Sequence, residues 1–270
     1  MKKILTTAYL SAMVLGATMT FTSCSNNNDD NDTAGAVANP KTVFTGGLPR
    51  SVAGMTIRTN EKGQVISMKN GEDIVTFQYK EAATRSTAPT PDVVMTVGEG
   101  EEKLVCNLYL NKNGFVKHCE ETEYDLDGKQ EETWDFTYNG DGQLLTMMRS
   151  EGGNEKTTIK YQDGNIVETA TVSANEPEES SSYKVYYTST DMPLPIENKG
   201  SIMFFDGTFG IDMDEMEYAY YAGLLGKATR NLPARLVDDE GDITDFFWTL
   251  NSIGYPISFK VDDKTYSFIW

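Results

Sequence analysis

The strongest constraint in this 270-residue chain is a turn that recurs. An apolar or aromatic residue is followed by Asn or Asp, two further residues, Gly, and then another apolar run. Clear copies are Leu110-Asn-Lys-Asn-Gly114, Tyr124-Asp-Leu-Asp-Gly128 and Tyr138-Asn-Gly-Asp-Gly142. Looser copies end at Gly63 and Gly254, and a shortened one, Tyr161-Gln-Asp-Gly164, ends at Gly164. Asn or Asp at the first position and Gly at the fourth make a type I turn closed by a left-handed glycine. Between strands this gives a three-residue loop with a bulge at the glycine. Gly114, Gly128 and Gly142 are fourteen residues apart, so hairpins follow one another directly. A chain punctuated in this way folds as an antiparallel meander.

The segments between the turns alternate as strands do. In Thr133-Trp-Asp-Phe-Thr-Tyr138 the residues Trp134, Phe136 and Tyr138 share one face. Counting across a three-residue loop sets Tyr138 against Leu144 and Trp134 against Met148. Further strands are predicted at 64–69, 73–80, 92–97, 103–110, 115–124, 155–161, 165–173, 181–188, 243–250, 255–261 and 264–270. Glu81–Pro91 and Ala174–Ser181, rich in Pro, Ser, Thr and Glu, read as mobile surface loops. So many strands in one sheet curl or close.

One helix is predicted, over residues 212–226. Asp212 is its expected N-cap, with Glu215 three residues on, and Gly226 its expected left-handed stop. Met216, Ala219, Tyr220, Gly223 and Leu224 form one apolar stripe, while Tyr218, Tyr221, Ala222 and Leu225 cover much of the other side. A helix apolar most of the way round is buried. The expected fold is therefore mainly β, a large antiparallel meander curling into a barrel-like sheet around one buried helix. The preceding run, 192–206, has the prolines and apolar residues of a chain crossing from sheet to interior.

The runs Pro195-Ile-Glu-Asn-Lys-Gly200 and Gly210–Arg230, with Leu232-Pro233 and the closing Thr265-Tyr-Ser-Phe-Ile-Trp270, resemble a family of uncharacterised Bacteroidota lipoproteins. That family is described as a domain of unknown function with a porin-like fold. The resemblance implies a barrel-like antiparallel sheet and no activity.

The first residues form a secretory signal: Met1-Lys2-Lys3, a modest apolar run to Phe21, then Thr22-Ser23-Cys24. Phe21-Thr22-Ser23-Cys24 resembles a bacterial lipobox, which makes Cys24 the expected lipidation site and 1–23 the signal peptide. Residues 24–40, in which Cys24 is followed by Ser, Asn and Asp only as far as Asp32, read as a flexible acidic tether. The tether resembles the export signal of surface lipoproteins; as a plain spacer it would leave the protein on the periplasmic leaflet. Residues 41–270 are then a single β domain. Cleavage removes two of 23 basic residues and none of 41 acidic ones, taking the net charge from −18 to about −20. Such a charge excludes a basic footprint for nucleic acid and direct adhesion to anionic lipid. It suits a hydrated monomer held at the membrane by its lipid anchor alone.

Candidate chemistry is sparse. His118 is the only histidine, which leaves no histidine-clustered metal site. Its neighbour Cys119 points to the opposite face of the strand. Counting across the turn sets Cys106 against Glu120, which puts Cys106 and Cys119 on opposite faces as free, buried thiols. Asp125, Asp127, Asn139 and Asp141 carry calcium-type oxygens that turn chemistry already explains. Glu131, Glu132 and Asp135 crowd one strand, unlike the continuous apolar outer face of a membrane pore. No cofactor, metal or catalytic residue is expected. Asp212, Asp214 and Glu215 are the expected ligand-facing residues, near a mouth of the barrel. The expected function is a non-enzymatic, surface-exposed outer-membrane lipoprotein that binds glycan or a partner protein. The alternatives are a structural lipoprotein without a small ligand, or a carboxylate-dependent hydrolase.

Overall fold

Four Asn-x-x-Gly turns fold alike. The side-chain oxygens of Asn60, Asn111, Asn139 and Asn251 each take the N–H groups two and four residues on, at 2.9–3.2 Å. Gly63, Gly114, Gly142 and Gly254 close these turns at φ between +80° and +88°. A fifth copy, Asp238 to Gly241, has the same bonds and was not singled out in the sequence. Two glycines depart from the expected loop. Gly128 pairs directly with Asp125 and donates its N–H to the Asp125 side chain, leaving a two-residue turn. Asp163-Gly164, both at positive φ, likewise makes a two-residue turn between Gln162 and Asn165.

The computed structural model describes residues 38–270 except 72, 81–89, 127, 176, 178 and 179. The signal peptide, Cys24, most of the tether, Asp127 and most of the Glu81–Pro91 loop lie outside the described residues. The first twelve strands are β1 (Ser51–Val52), β2 (Met55–Thr59), β3 (Val65–Asn70), β4 (Asp73–Tyr79), β5 (Val93–Gly98), β6 (Lys103–Leu110), β7 (Val116–Asp125), β8 (Gly128–Tyr138), β9 (Leu144–Arg149), β10 (Glu155–Gln162), β11 (Asn165–Val172) and β12 (Ser181–Tyr186). From β1 to β12 each pairs antiparallel with the next in sequence. The two-stranded pair β13 (Ile196–Glu197) and β14 (Asn231–Leu232) stands apart from them. The sheet resumes with β15 (Arg235–Asp238), β16 (Ile243–Leu250), β17 (Pro256–Val261) and β18 (Lys264–Ile269), and it closes where Val52 pairs with Phe268. Sixteen strands thus form a closed antiparallel barrel.

The bulges change the expected register. Next to each of the four turns the pairing shifts by one residue, as at Tyr109/Leu110 and Thr137/Tyr138. Tyr138 does oppose Leu144, but beyond the bulge Trp134 opposes Arg149 rather than Met148. By the same shift Cys106 opposes Glu121, not Glu120, and Cys119 opposes Leu108. Both cysteines therefore point inward. They are free, as expected, but the expectation of opposite faces is corrected.

Strand neighbours β12 and β15 are separated in sequence by residues 187–234, which supply a buried filling. Ile202, Met203, Phe205, Phe209, Ile211, Met213, Met216, Ala219, Leu224 and Leu225 share one buried cluster with inward residues such as Val65, Met95, Leu108 and Trp134. The long helix expected over 212–226 is not formed. Instead α2 (Phe205–Phe209) and α3 (Met216–Tyr221) are short, the first helical turn, α1 (Glu151–Asn154), lying between β9 and β10. Glu215 takes the N-cap position of α3 without a side-chain bond, while Asp212 accepts the N–H of Asp214 in the preceding bend. Gly223, at φ +78°, stops α3 three residues before Gly226. Its N–H donates to Tyr220 and that of Leu224 to Ala219, the paired bonds of a glycine-stopped helix. The stop is tight, since a Cβ on Gly223 would lie 2.5 Å from Pro40 Cα.

Alternation along the wall puts apolar side chains inside, while the outer face mixes polar residues with exposed apolar ones such as Ile66, Leu145, Met148, Phe247 and Ile257. On β6, Leu104, Cys106, Leu108 and Leu110 are buried; on β8, Trp134 and Phe136 are buried between exposed Thr133, Asp135 and Thr137. Glu120, Asp135, Lys156, Lys160, Lys184 and Lys260 put charges on the outer face. A membrane pore instead has a continuous apolar outer band around a polar lumen.

Candidate functional site

Because neighbouring strands are antiparallel, alternate hairpins lie at alternate ends of the barrel. The four Asn-x-x-Gly turns and Asp163-Gly164 share one end, and the filling closes it. Val116 N–H donates to Leu224, Lys227 N–H to Gly142 and Arg230 N–H to Gly164, at 2.8–2.9 Å. Gln143 Nε2 ties Gly164 O to Ala228 O. The chain also enters here, with Phe44 edge-to-face with Tyr220 at 5.7 Å and stacked on Tyr221 at 6.2 Å.

The other end carries the start of α3 and the hairpins after β1, β3, β7 and β9. A cavity of about 190 Å³ opens there, lined by Val52, Ala53, Met55, Asn70, Phe204, Asp214, Glu217, Tyr218 and Tyr221. Of the three expected ligand-facing residues, only Asp214 lines it. Asp212 is exposed beside it, and half-buried Glu215 turns towards the wall near Glu121. Asp214 also pairs at 2.6 Å with Arg149, which reaches Glu132 and Glu151 and lies 4.7 Å over the Trp134 ring. Arg149 thus fastens the start of α3 to the wall.

Burial raises the carboxyls at this end. Glu217 is pushed up to about 7 by burial and then by Asp206; Glu215 is raised to about 7 by burial, with Asp214 adding to it. Glu121, buried on the inner face, is raised to about 7 by burial and then by Glu215, while a 3.0 Å bond from Trp134 Nε1 opposes the shift.

The residues considered for other chemistry are dispersed. His118 faces outward and bonds Asp135 at 2.8 Å, so it and Cys119 lie on opposite faces as expected. Asp125 and Asn139 sit at opposite ends of the barrel, and Asn139 spends its oxygen on its own turn. Arg149, Glu217, Asn70 and Glu121 were not anticipated. The legible signal was Glu121, a charge two residues after Cys119 on the face that alternation makes apolar.

Residues 55–258 match the family described as "Domain of unknown function (DUF4595) with porin-like fold". The chain belongs to this family. No curated protein matches it. Among solved structures, a porin-like protein from Bacteroides uniformis ATCC 8492 is similar at 20% identity, covering 80% of this chain and 87% of that one, with a TM-score of 0.57. A porin-like protein from Bacteroides vulgatus ATCC 8482 is similar at 14% identity over 79% and 90% of the two chains, with a TM-score of 0.48. The family's porin-like fold takes here the form of a barrel filled by its own side chains.

Proposed function

We propose that this member of the family is a lipid-anchored outer-membrane protein whose acidic end binds a glycan without reacting with it. The observation that carries the reading is the cavity at that end, which combines tyrosine rings with amide and carboxylate oxygens. Sugars are bound by such sets, a ring against the apolar face and oxygens on the hydroxyls. The lipobox-like Phe21-Thr22-Ser23-Cys24 and the acidic tether support the anchor and surface exposure. Entry of the chain at the opposite end, where Pro40 meets Gly223, supports a cavity directed away from the membrane.

The test is a glycan array probed with the unlipidated mature chain, with Tyr218→Ala and Asn70→Ala beside the wild type. The reading predicts a specific glycan whose affinity falls about tenfold in each variant while melting is retained. A blank array, or binding that neither substitution weakens, contradicts it.

A further inference from the structure

Beyond this end, the interior holds a cluster with a different chemistry. Cys106, Cys119 and Glu121 place two sulfurs and a carboxylate oxygen within 4.8 Å of one another, all buried. The register explains the convergence: Cys106 opposes Glu121, and Cys119 lies two residues along on the same inward face. Glu121 is the anomaly, because a carboxyl is costly to bury in an apolar wall. It is held by Trp134 Nε1 at 3.0 Å and by the Cys106 thiol at 3.7 Å.

A disulfide does not suit the pair. Diagonal neighbours on adjacent strands have Cα atoms about 7–8 Å apart, beyond the usual disulfide reach. A metal ion suits it better. Zinc takes thiolates at about 2.3 Å and carboxylates at about 2.0–2.2 Å, so donors near 4 Å apart can share one ion.

We propose that Cys106, Cys119 and Glu121 form a buried binding site for a thiophilic divalent cation, of which Zn²⁺ is the type. Two thiolates select a soft or borderline ion, and the Trp134 bond orients the carboxylate as outer partners do at metal sites. Binding releases the two thiol protons, with any proton on Glu121, to solvent, and the ion takes their place between the two thiolates and the carboxylate. In this fold the ion would staple β6 to β7 beneath the acidic end.

The mature chain should be refolded under reducing conditions with Co²⁺, then titrated with Zn²⁺. The proposal predicts a sulfur-to-cobalt charge-transfer band with tetrahedral d–d bands, one ion per chain, and loss of both on Zn²⁺ addition. Cys119→Ser should abolish the charge-transfer band or halve it, and Glu121→Gln should weaken Co²⁺ binding at least tenfold, each with unchanged circular dichroism. If a variant fails to fold, the wild-type spectrum decides. Absence of a thiolate band from folded wild type, or a Cys106–Cys119 disulfide found by mass spectrometry in protein refolded in air with Zn²⁺, overturns the proposal.

Discussion

The two ends of the barrel are built from opposite materials. At the turn end, Asn-x-x-Gly hairpins whose charged residues point to solvent meet the filling through backbone hydrogen bonds, and the nearby cations Lys199, Lys227 and Arg230 lie outside. At the acidic end, contact between filling and wall runs through Arg149 and its carboxylate partners, with Glu215 and Glu217 half-buried beside them. Backbone bonds between fixed turns hold a shape and do not titrate. Carboxylates held in partial burial respond to pH and to ligands, and they leave a cavity. The turn end therefore closes over the filling, with an open polar cleft between Gly140 and Arg230 on its surface, while at the acidic end a cavity enters between filling and wall.

The sealed end breaks most severely at Gly223. Gly223→Leu must seat a side chain at φ +78° against Pro40, where a left-handed residue alone costs about 1–2 kcal/mol and the overlap adds more. Gly63→Ala is the comparison, because Gly63 is also left-handed but a Cβ there meets nothing within 4 Å. Urea unfolding should show a loss of about 3 kcal/mol or more for Gly223→Leu and about 1 kcal/mol for Gly63→Ala. Equal losses would mean that the fit against Pro40 does not matter.

The acidic end shows a smaller effect with a characteristic sign. Glu217 holds its proton up to about pH 7 in the fold, against an ordinary value of 4.5. The unfolded chain releases that proton first, so stability falls as pH rises from about 4.5 to 7 and then levels. Glu217→Gln removes the share of this slope that Glu217 contributes, leaving those of Glu215 and Glu121. Relative to wild type, its melting temperature should be near equal at low pH and should rise across that window, by the equivalent of about 1 kcal/mol. A difference that shrinks with rising pH would contradict the assignment.

The same contrast explains what could be read from the sequence. The Asn-x-x-Gly turns carry their structure in their own side chains, so Gly63, Gly114, Gly142 and Gly254 were legible, and with them the closed meander. The bulge beside each turn moves the register by one, which hid the shared face of Cys106 and Cys119 and the partner of Trp134. The filling was legible as buried but not as a long helix. Its apolar pattern reports burial but does not say that Gly223, packed against distant Pro40, takes the left-handed stop in place of Gly226. Strands such as Arg235–Asp238 are short and take their shape from neighbours. The cavity joins Asn70 to Asp214 and Glu217, a long-range juxtaposition that no local pattern announces.

Native-state hydrogen exchange tests the division between the two ends most directly. The account predicts that the amides of Val116, Leu224, Lys227 and Arg230, at the turn end, exchange only with global unfolding. Those of Met216, Glu217 and Tyr218, at the start of α3, should exchange earlier through local opening. Protection that is equal at both ends, or greater at the start of α3, would contradict a barrel sealed at one end and responsive at the other.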